Sequence, residues 1–371
     1  VIATAADRKV VEVVMAHARA PVAWYALDGD DCHGQAPHWL AAPVTADDSG
    51  QSFDLFAGGV AAGRAALPMS GEHNLRNALA ALAASAQGFG VRLDVALGGL
   101  LRFEGVARRQ DCIGEVRGIR VYDDFAHHPT AVRETLRGLR SFYGYLIHYV
   151  HFPYDNILNL YDLDAVRQRY EFPYKIALEL YARWAKRHII LQNFSDMVIA
   201  NSKYTRSHCE KIWSRDDVKV LYPSINTSAF RNSVSEKERT CIVIGRIAPD
   251  KNIQSALQAF HSPKLRDYKL VVAGQIIDQY ERYAQTVIDA SIKSPNIQVV
   301  PNPTKGRLKE LLANAKVLLH PRRGEHFGLA IVEGMASGCI PVVHRSGGPM
   351  EIIDEGKYGF TFADKDDMAD S

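Results

Sequence analysis

The chain has 371 residues, 47% hydrophobic and 23% charged, enough for two or three soluble domains that each bury a core. Its net charge of +2 excludes a global field for nucleic acid or an anionic membrane. The five cysteines (Cys32, Cys112, Cys209, Cys241, Cys339) lie far apart, which argues against a zinc cluster or a disulfide framework and makes a reducing cytoplasm the expected compartment. No apolar run approaches the roughly 20 residues of a spanning helix. The opening segment, VIATAADRKVVEVVMAHARA, has acidic residues and no signal-peptide layout; it reads as a strand and helix from the middle of a domain.

Val10, Val13, Val14 and Ala18 have helical spacing and predict an early helix. Strands are predicted at 22–26 and 53–57, an Ala-rich helix at 74–87, a strand at 119–123, and a helix at 129–139 opened by Pro129. Composition shifts near residue 140: Ala, Gly, Val and Arg dominate before it, and Lys, Ile, Asn, Tyr and Ser become common after it. Such a shift is expected where two sequences of different background are joined, and no repeat or low-complexity linker is seen at the change. Strands are then predicted at 145–150, 196–201, 218–222, 240–244, 269–273, 297–300, 315–319 and 340–343. Helices are predicted at 174–188, 203–213, 251–260, 279–292, 305–314 and 329–337. This alternation predicts an α/β chain of Rossmann-like parallel sheets covered by helices on both faces, with ligands at the carboxyl ends of the strands.

Two unrelated sets of motifs occur. In the first, His73, Asn74 and Asn77 open the Ala-rich helix, where their amide and imidazole groups suit the edge of a base; capping by Asn74 is the alternative. Asp123, Asp124, His127 and His128 follow a strand and precede a helix, a place for ribose, magnesium or phosphate oxygens, with a solvated capped loop as the alternative. The segments GEHNLRNALAALAA, FEGVARRQD and VYDDFAHHPTAVRETLRGLR resemble the Mur ligases, most closely the muropeptide ligases that join a peptide to UDP-N-acetylmuramate using ATP. The resemblance covers about residues 1–140. It implies a partial central domain at 1–110 and the start of the C-terminal domain at 111–140. It also implies that His73, Asn74 and Asn77 lie by the adenine, Asp124 and His127 in the hinge-side ATP site, and Arg108 and Arg109 at the interdomain seam. An intact member uses ATP and Mg2+ to make an acyl phosphate that an amine attacks. The G-x-x-x-x-G-K-[ST] loop that would cradle the phosphates does not occur in the chain, so shared ancestry without ligation is expected.

In the second set, Gly245 permits close backbone approach after a strand, and Arg246 and Lys251 place two cations beside the strand end, suited to a diphosphate. A solvated surface turn is the alternative. Glu325 precedes a helix on a loop, beside Phe327 and Gly328, and Glu333 falls near the start of that helix, so one carboxylate can meet sugar hydroxyls and the other a ribose. The run HPRRGEHFGLAIVEGMASGCIPVVHRSGGPMEII, with the GR…K turn before it, resembles the retaining GT-B glycosyltransferases of the family 4 type. YLIHYVHFPYDN and VIANSKYTR resemble the lipid-linked oligosaccharide mannosyltransferases within it. The resemblance covers about 141–371 and implies a partial acceptor domain at 141–237 and a nucleotide-sugar-binding domain at 238–371. Arg246 and Lys251 would hold the diphosphate, Glu325 the donor sugar and Glu333 the ribose, with Gly245, Phe327 and Gly328 lining the donor site. His151 would stand by the sugar, and His148, on the other strand face, is the weaker candidate. No metal or cofactor is expected for this half, because the cations replace it.

The helix at 174–188, with Lys175, Arg183, Lys186 and Arg187 beside Trp184, suits either a membrane surface or, in the favoured reading, a packed helix with solvated charges. The leading expectation is thus a retaining glycosyltransferase that uses GDP-mannose or another nucleotide sugar, truncated on the acceptor side, with a lipid-linked acceptor and a cytoplasmic or membrane-peripheral location. The alternatives are an ATP-dependent Mur-type ligase fragment and a non-catalytic fusion of two fragments. No nucleic-acid partner is expected.

Overall fold

In a computed structural model, the described residues are 1–47, 50–126, 129–153, 195–230 and 236–370. They divide into two compact units. The first holds Val1–His148 with 195–197, and the second holds Tyr149–Pro153 with 198–370. The predicted helix at 174–188 and His127 lie outside the described residues.

The first unit opens with β1 (Ile2–Thr4), α1 (Arg8–His17) and β2 (Ala23–Leu27). Asp7 caps α1 by accepting the amides of Lys9 and Val10. Three longer strands follow: β3 (Trp39–Asp47), β4 (Gly50–Ala57) and β5 (Val60–Leu67). The sheet order is β1-β2-β3-β4-β5. Its first three strands are parallel as expected, and β3, β4 and β5 add an antiparallel meander that makes this sheet mixed. The cause is local: Gly58 and Gly59, with φ of 60° and 80°, turn β4 directly into β5 through a two-residue hairpin. Gln51, Phe53 and Leu55 alternate inward along β4. Phe53 and Leu55 pack on Leu75, Leu79 and Leu82 of α2 (Glu72–Ala83), each such buried side chain contributing roughly 1.5–3 kcal/mol. α2 stops at Ala83, short of the predicted end, and passes into a π-helical turn over Ala84–Gly88 before α3 (Leu93–Leu101). A hairpin of β6 (Asp111–Val116) and β7 (Ile119–Asp123) and then α4 (Pro129–Arg140) complete this part.

β8 (Ile147–Val150), β9 (Met197–Ala200) and β10 (Lys219–Val220) form a small sheet of order β10-β9-β8, with α5 (Lys203–Trp213) between β9 and β10. The large sheet of the second unit is parallel throughout. Its strands are β11 (Glu238–Ile244), β12 (Lys269–Gly274), β13 (Ile297–Pro301), β14 (Ala315–His320), β15 (Ile340–His344) and β16 (Phe360–Phe362). The helices α6 (Ile253–Ala259), α7 (Glu281–Ile292), α8 (Lys305–Asn314), α9 (Leu329–Ala336), α10 (Pro349–Ile352) and α11 (Lys365–Asp370) alternate with them. Along β11, Cys241 and Val243 join one apolar core, and Ile242 and Ile244 join another. That division is the period of two expected of a strand buried on both faces. The strand order β13-β12-β11-β14-β15-β16 reverses between β11 and β14. A doubly wound sheet leaves a crevice at that reversal, outside the carboxyl ends of the two strands.

Candidate functional sites

The crevice at the reversal is built by two short connections. After β11 comes Gly245, with a φ of 141°. A Cβ on Gly274, at the end of the neighbouring β12, would fall 1.7 Å from the Gly245 carbonyl oxygen, so glycine at 274 is what lets this loop cross the strand end. A 3-10 turn over Pro249–Lys251 follows, and the Asn252 side-chain amide donates to the Pro321 carbonyl at 3.1 Å, tying the turn to the end of β14.

Beyond β14, Glu325 is 9% exposed. Lys251 Nζ donates to its Oε2 at 2.9 Å, Arg322 reaches its carboxylate at 3.3 Å, and the His326 amide donates to Oε1 at 3.2 Å. The buried His320 places Nε2 3.3 Å from Oε2, close enough to pair but without a well-aligned N–H···O bond. Burial pushes the Glu325 carboxyl up, but His320, Arg322 and Lys251 outweigh it and hold the group well below the usual carboxylate range. Burial pushes His320 down, so its imidazole is neutral. Burial and the Arg322 charge push His326 down to about 4.

The network extends outward, since Arg322 lies 3.4 Å and Arg246 3.6 Å from Asp250. Arg246, Lys251 and Arg322 thus share Asp250 and Glu325, leaving a net positive site at the strand ends. The structure brings Lys251 and Glu325 into contact, as their spacing in the sequence could not show, and it places Arg246 on Asp250. Glu333 is the fifth residue of α9, which begins at Leu329 as expected; burial pushes its carboxyl up. Gly328, with a φ of 110°, caps α9, and Phe327 is buried beneath it.

The Glu325 loop is held from behind. A Cβ on Gly347 would fall 2.4 Å from the Glu325 carbonyl, and one on Gly348 would fall 2.4 Å from the His326 carbonyl. Ser346 Oγ accepts the Gly324 amide, and the Gly348 amide donates to the Glu325 carbonyl at 2.8 Å. Phe152 stacks on His326 at 3.8 Å between ring centroids, and Ser202 Oγ donates to the His326 carbonyl at 2.6 Å. His151 follows β8 with its ring edge-on to Tyr149, and its carbonyl accepts from Thr205 Oγ1. His148 is a half-buried residue within β8. Sequence reasoning missed Asp250, His320 and Arg322. The available signal was Asp250 four residues after Arg246 and a basic pair immediately before the Glu325 loop.

The first unit carries a different site, a cavity of about 1010 Å³ lined by His73, Asn74, Asn77, Arg109, Gln110 and Asp124 among mostly apolar walls. Asn74 does not cap α2. The cap position is Gly71, without a side-chain bond, and the Asn74 amide donates back to the Ser70 carbonyl at 2.7 Å. Asp124 clamps its own backbone by accepting the Gln110 amide at 2.9 Å and the Ala126 amide at 2.7 Å. Gln110 Oε1 accepts both the amide and the hydroxyl of Ser70. His73 Nδ1 and Gln110 Nε2 are buried there without hydrogen-bond partners. Burial pushes the His73 imidazole down. Arg108 pairs with Asp123 at 3.1 Å, whereas Arg109 lines the cavity. Among the described residues no group of three His, Cys, Asp or Glu side chains could hold a metal ion. No helix among them is long and apolar enough to cross a membrane.

Residues 224–371 match the family of glycosyl transferases group 1, and residues 108–151 match the Mur ligase glutamate ligase domain. A GDP-Man:Man(3)GlcNAc(2)-PP-Dol alpha-1,2-mannosyltransferase of Dictyostelium discoideum is 28% identical over 47% of this chain and 38% of its own length. The UDP-N-acetylmuramate--L-alanyl-gamma-D-glutamyl-meso-2,6-diaminoheptandioate ligase of Escherichia coli is 40% identical over 30% of this chain and 24% of its own length. The crystal structure of Anabaena HepE in complex with UDP superposes with a TM-score of 0.50 at 17% identity, covering 65% of each chain, which is a likeness of fold. The chain spans 37–44% of the length of the four mannosyltransferases first matched. The chain is chimera-like: a segment that matches the Mur ligase glutamate ligase domain is followed by a segment that matches glycosyl transferases group 1 and has a GT-B likeness of fold.

Proposed function

We propose that the glycosyltransferase segment takes a nucleotide sugar, GDP-mannose foremost, as donor for retaining transfer to a lipid-linked acceptor at the cytoplasmic face of a membrane. The observation that carries this is the buried Glu325 carboxylate enclosed by Lys251 and Arg322 at the strand-order reversal. Relatives named for GDP-Man and a fold neighbour solved with UDP support it. On this reading residues 238–371 form the donor domain and 141–237 part of the acceptor domain. Transfer breaks the bond between the anomeric carbon and the diphosphate. Arg246 and Lys251 offset the charge that builds on the leaving group, without a metal. Glu325 accepts from sugar hydroxyls, Glu333 meets the ribose, and His151 stands by the sugar. Gly245 and Gly328 let backbone approach the ligand beside Phe327. A donor at 100 times its Kd adds about 2.7 kcal/mol of stability. The test is thermal melting with GDP-mannose, GDP, UDP and UDP-glucose: a rise with GDP-mannose above that with GDP is expected, and unchanged melting with all four overturns the reading.

The orphaned His73 and Gln110 nitrogens favour a second reading for the first unit, in which residues 1–110 and 111–140 keep the adenine end of a Mur-type ATP site. His73, Asn74 and Asn77 then face the base, with Asp124 and His127 beyond it. Adenosine stabilising the chain as well as ATP does, with no peptide-dependent release of ADP, is the expected result; ADP release overturns it.

A further inference from the structure

Besides Arg322, which donates to Oε2 of Glu325 at 3.3 Å, two further nitrogen donors converge on that oxygen. Lys251 Nζ holds Oε2 at 2.9 Å with good geometry, and His320 Nε2 waits 3.3 Å from the same atom without alignment. The two donors differ in freedom. His320 ends β14 within the parallel sheet, and its side chain is 6% exposed. Lys251 ends a 3-10 turn on a flexible four-carbon stem. A carboxylate oxygen accepts from more than one donor, but the alignment of each suffers when they crowd.

We propose that His320 is the positioning residue of the donor site: when a diphosphate draws Lys251 away, His320 takes over Oε2 and keeps Glu325 aimed at the donor sugar. This rests on the donor reading above. A lysine facing a diphosphate cannot also neutralise Glu325 at full strength, and a buried carboxylate that loses a donor needs another. His320 supplies that donor without adding charge, because its buried imidazole is neutral and carries its proton on Nε2 in this role. Arg322 and the His326 amide stay on the carboxylate throughout, so the handover moves one donor and leaves the frame still. The consequence is an order of events: the diphosphate binds first in energetic effect, and the sugar is gripped by a carboxylate that Lys251 has released.

The test uses the full chain with GDP and GDP-mannose in titration calorimetry, with nitrogen NMR of the histidine side chains. His320→Ala is expected to weaken both GDP and GDP-mannose about tenfold, the worth of one hydrogen bond to a charged group, because either diphosphate draws Lys251 away. His320→Gln, whose amide can donate from a similar place, restores part of the loss. Unchanged affinity for both ligands, or no rescue by His320→Gln, overturns the handover. Should His320→Ala fail to fold, the wild-type spectrum decides: adding GDP shifts the His320 Nε2–H resonance downfield, and an unmoved resonance in the bound protein overturns the proposal. If wild type binds neither ligand, the donor reading itself has failed; binding with an unmoved resonance removes only the role of His320.

Discussion

The two sites solve the burial of polar groups in opposite ways. At the strand-order reversal of the second unit, Lys251, Arg322, Asp250 and Glu325 pair with one another, and a ligand must enter by exchanging partners. In the first unit, His73 and Gln110 line a largely apolar cavity and keep buried nitrogen atoms unpaired. A closed charge network favours discrimination, since only an anion strong enough to break an ion pair gains entry. An open cavity with orphaned polar atoms favours retention of a neutral flat group, because the cost of the unpaired atoms is already present in the empty state.

The contrast can be broken first at Glu325. Glu325→Ala strands Lys251 and Arg322 and is expected to lower the stability of the second unit by about 3 kcal/mol and to abolish sugar transfer. Denaturant melts with a turnover assay check both; retained turnover would remove the role assigned to Glu325. Acid probes the same site. The unfolded chain binds a proton near pH 6.5 that folded His326 takes only near 4, so stability is expected to drop as pH falls through that window, by at most about 3 kcal/mol. His320, also pushed down, adds to the slope in the same direction. Glu325, held low, contributes stability that is present above 4.5 and lost on further acidification. His326→Phe should flatten the profile between pH 6.5 and 4, and an unchanged slope would place the titration elsewhere.

The open site predicts the opposite sign. His73→Phe removes an unsatisfied buried nitrogen and should stabilise the first unit by about 1 kcal/mol while ending adenosine binding. A loss of stability would mean that His73 is bonded in solution. The smallest effect is expected at Arg246, whose pair with Asp250 is about half exposed: Arg246→Ala should move stability by less than about 0.5 kcal/mol and still weaken GDP binding, as calorimetry would show.

The second unit was largely legible in its sequence because local and tertiary signals agree there. The apolar runs at 240–244, 269–273 and 315–319 are buried on both faces, and continuous runs of that kind mark central parallel strands. Arg246, Lys251 and Glu325 stood out through their flanking residues. Asp250, Arg322 and His320 did not, because Asp250 and Arg322 meet from distant stretches of chain and His320 sits at a strand end whose depth the sequence does not display. The first unit was less legible. Its β3, β4 and β5 pair antiparallel, and the direction of the β4–β5 pairing was decided by one glycine pair at a turn. The Asp124 carboxylate looked like a ligand-binding group, yet in the fold it is engaged by two backbone amides, a use of Asp that sequence alone cannot separate from the other.

The glycine contacts behind the Glu325 loop set how this site can vary. Because any side chain at Gly347 or Gly348 would need space already filled by the Glu325 and His326 carbonyls, these two positions admit almost no mutational drift even though neither carries a functional group. A saturation library of the chain should therefore show two sharp intolerant columns there, and second-site suppressors, where they arise, should map to the 324–327 segment that would have to retreat.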